Sequence, residues 1–109
     1  MKMENGPWDL IDWQSLPVTE VPGATGSALV RTSQSGEVGL RVIEFSAGYR
    51  SDHWCAKGHI AYVLEGVLTL EFQDGRSFDV AAGSSFQLGD DEGTHRAYTH
   101  GGAKIFIVD

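Results

Sequence analysis

The sequence predicts an all-β fold, a sandwich or small closed barrel of about ten short strands. Short runs rich in Val, Ile, Phe and Thr recur along most of the chain. Turn segments containing glycine separate them, in a chain with 14 Gly. Nowhere does an apolar spacing of three and four residues persist long enough for an amphipathic helix.

The elements follow in order. Residues 1–7 are polar and form no element of their own. Residues 8–17, WDLIDWQSLP, have room for one helical turn, which Pro17 then discourages. Trp8 and Trp13 are large apolar groups for so peripheral a segment, and they predict packing across a sheet face or against a partner subunit. The chain therefore divides into an N-terminal extension, residues 1–25, and a barrel, residues 26–109. Strands are predicted at 27–32 and 38–45 around the SQSG turn, then at 60–64 and 67–72 around a turn at Glu65-Gly66. Asp74-Gly75 is the strongest hairpin signal, since that dipeptide suits a type I′ turn. Strands at 77–80, 84–88, 95–99 and 103–108 complete the set, separated by AAG, GDDEG and HGG.

Length and charge narrow the function. A chain of 109 residues builds one core and not two. A net charge of −7 argues against nucleic acid or anionic membranes as partners, because both require clustered Lys and Arg. There is no basic-then-apolar leader and no apolar run of membrane-spanning length. A single Cys makes no internal disulfide, so the expected compartment is a reducing cytoplasm.

Chemistry concentrates in DHWCAKGHIAYVLEG, residues 52–66, which gathers His53, Cys55 and His59 within seven positions. In a strand the side chains alternate faces, so His53 and Cys55 share a face with Cβ atoms roughly 6.5–7 Å apart. Imidazole nitrogen and thiolate sulfur both reach a metal from that separation. Lys57-Gly58 reads as a short break, after which His59 enters the next strand with the same parity. A single His or Cys in a sheet is ordinarily an edge or packing residue. Three on one face point to a metal site.

These residues resemble the first motif of the cupins. His53-x-Cys55-x3-His59-x6-Gly66 has that motif's frame, and Gly83 to His95 in GSSFQLGDDEGTH echoes the second. More narrowly, DHWC followed by KGH, with the closing AKIFIVD, resembles the small single-domain DHCW-motif cupins, whose biochemical role is not established. The resemblance spans residues 38–109 and implies a double-stranded β-helix jelly roll with a pocket at one mouth. Residue by residue it implies a ligand set of His53, Cys55, His59 and His95 for a divalent transition metal: zinc, iron(II), nickel or copper. The departures are plain. Cys55 stands where most cupins have a second His, His59 where they have Glu, Gly89 where they have Pro and Thr99 where they have Asn.

Other candidates are weaker. His100 differs in parity from His95 and reads as surface, and Asp90-Asp91-Glu92 as a solvated loop. Arg41 and Arg50 have the chemistry to hold an anionic substrate, or to make ion pairs. Trp54 and Tyr62 read as packing residues. A Cys beside His has the chemistry of a nucleophile, but no orienting group or oxyanion hole accompanies it. Two functions remain. One is a metal-dependent enzyme for a small molecule, of oxygenase, isomerase or decarboxylase type. The other is a non-catalytic cupin that binds a small ligand or metal as a sensor or store. The resemblance and the two Trp residues also imply a homodimer.

Overall fold

The computed structural model describes residues 3–109. These described residues are all-β apart from one 3-10 turn, Trp13–Ser15, capped by the Asp12 carboxylate accepting from the Gln14 N–H. Eight strands follow: β1 (Thr19–Pro22), β2 (Ser27–Ser35), β3 (Val38–Phe45), β4 (His59–Phe72), β5 (Ser77–Ala81), β6 (Ser85–Leu88), β7 (His95–Tyr98) and β8 (Ala103–Val108). All pairings are antiparallel, in the path β1-β2-β3-β8-β4-β5, with β6 and β7 also on β4. This is a jelly-roll β-barrel. No helix among the described residues is long and apolar enough to cross a membrane.

Strand β4 organises the barrel. Its first half lies between β8 and β6, and its second half lies between β5 and β7. The predicted turn at Glu65-Gly66 is instead a bulge in one continuous strand, where the register against β8 shifts between Val63 and Glu65. A bulge inserts a residue, bends the strand and moves the inward set by one position. Ala61 and Val63 point inward before it, and Leu68 and Leu70 after it, each at most 5 % exposed. Odd positions give way to even. Gly66 sits at the bend with φ +75°. That conformation costs an L side chain, and a Cβ there would meet the Gly102 carbonyl oxygen.

The merger removes one of the strands predicted in order, and β1, which lies within residues 1–25, adds one, so eight strands are described where about ten are expected. Residues 19–22 pair with β2, so the extension supplies an edge strand. Trp13 packs edge-on against Phe106 of β8, with ring centroids 6.0 Å apart, so it lies on the chain's own barrel. Trp8 is 88 % exposed. The Asp74-Gly75 hairpin forms, but Asp74 keeps a negative φ and only Gly75 is left-handed, so the turn is not type I′. The core gathers Ala28, Ile43, Ala61, Val63, Leu68, Leu70, Val80, Ala103, Ile105 and Ile107. Strand β8 shows why it closes: Ala103, Ile105 and Ile107 are buried, while the residues between them are only partly so.

Candidate functional site

The barrel opens into a cavity of about 400 Å³ whose lining includes all four sequence-predicted ligands, His53, Cys55, His59 and His95. Its walls are apolar, from Ile43, Phe45, Leu68, Leu70, Phe86, Ile105 and Ile107. The four residues arrive on different supports. His59 opens β4 and pairs with Leu88 of β6. His95 opens β7 and pairs with Phe72 at the far end of β4. Both halves of one bent strand therefore set the His59 and His95 rings, whose centroids are 5.2 Å apart.

The predicted strand over His53 and Cys55 does not form. Residues 51–58 are a loop that docks along β7 at isolated points. Ser51 accepts from the Ala97 N–H and donates from its own N–H to the Ala97 carbonyl. Cys55 and His95 exchange backbone hydrogen bonds of 2.8 and 2.9 Å. The loop is tied down at its other end by the acidic segment. The Gly58 N–H donates to the Asp90 carboxylate at 2.7 Å, and the Asp91 N–H donates to the Ala56 carbonyl. Gly58 permits this approach, since a Cβ there would lie 2.5 Å from the Leu88 carbonyl oxygen. Asp90 is thus a loop anchor rather than only a solvated carboxylate.

Electrostatics favour imidazole lone pairs. His95 is buried, 4 % exposed, and its Nδ1 lies 3.0 Å from the Gly93 carbonyl oxygen. A carbonyl only accepts, so Nδ1 carries a proton, and in the neutral ring Nε2 carries the lone pair. His59 has its pKa lowered, first by burial and then by His95, Arg41 and Lys57, against an opposing contribution from Asp109. It is neutral at physiological pH. His53 is different: its side chain is 78 % exposed and its Nδ1 is 2.5 Å from the Asp52 carboxylate. Cys55 is a free, half-buried thiol.

The donor types suit a divalent transition metal, thiolate and imidazole together favouring zinc, copper, nickel or iron(II). Their positions bring two of the four into contact. Among the described residues no three His, Cys, Asp or Glu side chains stand together as a metal-holding group. The His59 and His95 pair is assembled by the strands, whereas His53 and Cys55 are carried by the loop.

Several side chains matter that the sequence placed only loosely. Arg41, on the inward face of β3 beside Ile43, donates from Nη2 to the Asp109 carboxylate at 2.6 Å inside the cavity. A charged residue in step with an inward Ile was the available signal. Arg96 donates twice to Glu71 and lies 4.2 Å over the Trp54 ring. Arg50 stands 3.7 Å from Glu71 and over Tyr98. These contacts hold the docked loop and β7 against β4. Trp54 is the packing residue expected; Tyr62 instead faces outward and is 45 % exposed. His100 is exposed, as its parity predicted.

The architecture resembles solved structures across nearly the whole chain. A polyketide cyclase, RemF, from Streptomyces resistomycificus superposes with a TM-score of 0.74 at 20% identity, covering 94% of this chain and 78% of that one. An RmlC-like cupin from Shewanella frigidimarina gives 0.71 at 18% identity, covering 95% and 91%. The chain has the cupin fold. A sugar phosphate isomerase from a cupin superfamily, from Silicibacter pomeroyi, gives 0.71 at 15% identity, covering 92% and 74%. No protein-family model and no curated protein sequence matches this cupin-fold chain. At 15–20% identity these likenesses establish the fold alone.

Proposed function

We propose that this chain is a metal-binding cupin that admits a small molecule to its cavity, with His59 and His95 as the ligand pair and His53 and Cys55 as further donors from the loop. The observation that carries this reading is the His pair: a buried His95 with its tautomer set by Gly93 and a neutral His59, 5.2 Å apart at an apolar cavity. A bound zinc, iron(II), nickel or copper ion would supply a Lewis acid or redox centre for oxygenase, isomerase or decarboxylase chemistry. Gly93 orients His95, burial keeps His59 unprotonated, the aliphatic walls limit water, and Asp90 and Arg96 hold the loop that carries Cys55.

The test is metal analysis of protein purified without a chelating tag, followed by titration with each of the four ions. About one ion per chain, lost in His95→Ala, is expected. Protein that binds none of the four overturns the reading.

A second reading, a non-catalytic cupin that binds a small ligand as a sensor or store, is favoured by one observation. Among the described residues no three donors converge, whereas catalytic zinc sites have three protein ligands. Stoichiometric small-molecule binding by protein that takes up no metal would select it. We further propose a homodimer, supported by Ile60, Tyr62 and Leu64, each more than 40 % exposed on the outer face of β4. Sedimentation as a monomer at micromolar concentration would remove that assignment. The single Cys fits a reducing, cytoplasmic setting.

A further inference from the structure

The cavity's charge is opposite to that of the chain. The protein carries a net −7. Yet the cavity lining holds three cations, Arg41, Lys57 and Arg96, against one carboxylate, Asp109. Arg96 is engaged by two hydrogen bonds to Glu71 and by the Trp54 ring. Arg41 is less fully engaged. One hydrogen bond leaves its Nη2 for Asp109, and its side chain is 35 % exposed against 11 % for Asp109. A guanidinium has five N–H donors in a planar fork that matches a carboxylate. The partner that fixes Arg41 therefore occupies only part of its donor capacity.

The surroundings select the kind of anion. Ile43, Phe45, Leu70, Phe86 and Ile105 line the same space beside the polar groups of the loop and the His pair, and give an apolar body a surface to pack against. Lys57 is exposed on the loop, and beside the apolar wall the one partly engaged guanidinium, Arg41, suits one carboxylate better than a dianionic phosphate, which draws several donors at once. We propose that the cavity takes a small molecule with one carboxylate on an apolar body, its anionic end held by Arg41 and its body against Ile43, Phe45 and Ile105. The proposal rests on the reading of this cavity as the ligand site and names the class of ligand it receives. Asp109 acts as the resident counter-charge, holding Arg41 in place while competing with the incoming anion.

The competition gives a test in which two variants move in opposite directions. Binding of hexanoate and benzoate is measured by isothermal titration calorimetry, with hexan-1-ol, benzyl alcohol and inorganic phosphate as comparators, on chelator-treated and zinc-supplemented protein. The carboxylates should bind wild type at least roughly tenfold tighter than the alcohols or phosphate, and Arg41→Gln should lose roughly tenfold or more. Asp109→Asn should bind them more tightly, by roughly threefold or more, because a like charge is removed. If the ion pair is only structural, both variants weaken binding, and the proposal falls. It also falls if alcohols bind as well as acids, or if no carboxylate binds. Should Arg41→Gln fail to fold, the direction of the Asp109→Asn change decides alone. Carboxylate affinity that appears only with zinc and survives in Arg41→Gln would overturn Arg41 as the anchor while leaving the metal-site reading intact.

Discussion

Replacing Gly66 by Ala tests the bend in β4 on which both site histidines depend. Two costs add at this position. The first is backbone: φ is +75°, and a non-glycine residue in the left-handed region costs about 1–2 kcal/mol. The second is contact. An added Cβ would stand 2.1 Å from the Gly102 carbonyl oxygen and 3.1 Å from the Ala103 Cα, both backbone atoms of the partner side. Since no side chain can swing away, β4 and β8 must separate locally, an overpacking cost of about 1–3 kcal/mol. The sum is about 2–5 kcal/mol, or a fall in melting temperature of roughly 8–20 °C at about 4 °C per kcal/mol. Gly75→Ala is the internal control, because Gly75 has φ +100° with nothing within 4 Å of its added Cβ. It should show the backbone cost alone, roughly 4–8 °C. Far-ultraviolet circular dichroism melts of both variants measure the difference. Equal losses in the two would refute the claim that close approach of β4 to Gly102 sets the bend.

Three further outcomes are expected. Cys55→Ser should lower metal affinity or move preference toward harder ions; unchanged affinity and stoichiometry, with only a modest loss of stability, would make Cys55 a packing residue. In metal-free protein, His59 titrates below its ordinary 6.5 because burial disfavours the charged ring, so between that lowered value and 6.5 the unfolded chain binds more protons than the folded one. The stability it contributes is therefore complete above about pH 6.5 and is lost as pH falls through the folded value; His59→Gln should flatten that part of the denaturation-against-pH curve, and parallel curves would contradict the assignment. Leu68→Ala, at a side chain 1 % exposed beside the cavity, should cost about 2–5 kcal/mol in chemical denaturation; a loss well under 1 kcal/mol would mean the wall collapses to fill the space.

Short-range pattern along the chain accounts for part of this architecture. Short runs with β-branched residues, bounded by turn segments, located β3 and β8 at their observed bounds. The clustered His53, Cys55 and His59, with His95 some distance along, marked the cavity that all four line. Tertiary structure decided the rest. Whether Glu65-Gly66 turns the chain back or bends one strand between two sets of partners depends on which strands flank it, and the resulting change of inward parity has no local signature. Loop 51–58 is extended enough to read as strand, but it meets β7 at isolated contacts, and its His53 lies against Asp52. Arg41 and Asp109 are 68 positions apart, and their ion pair exists only because β3 and β8 are neighbours in register. Residue type and spacing specify which groups have suitable chemistry. Long-range strand pairing, in which each partner's position depends on all the others, specifies which of them meet.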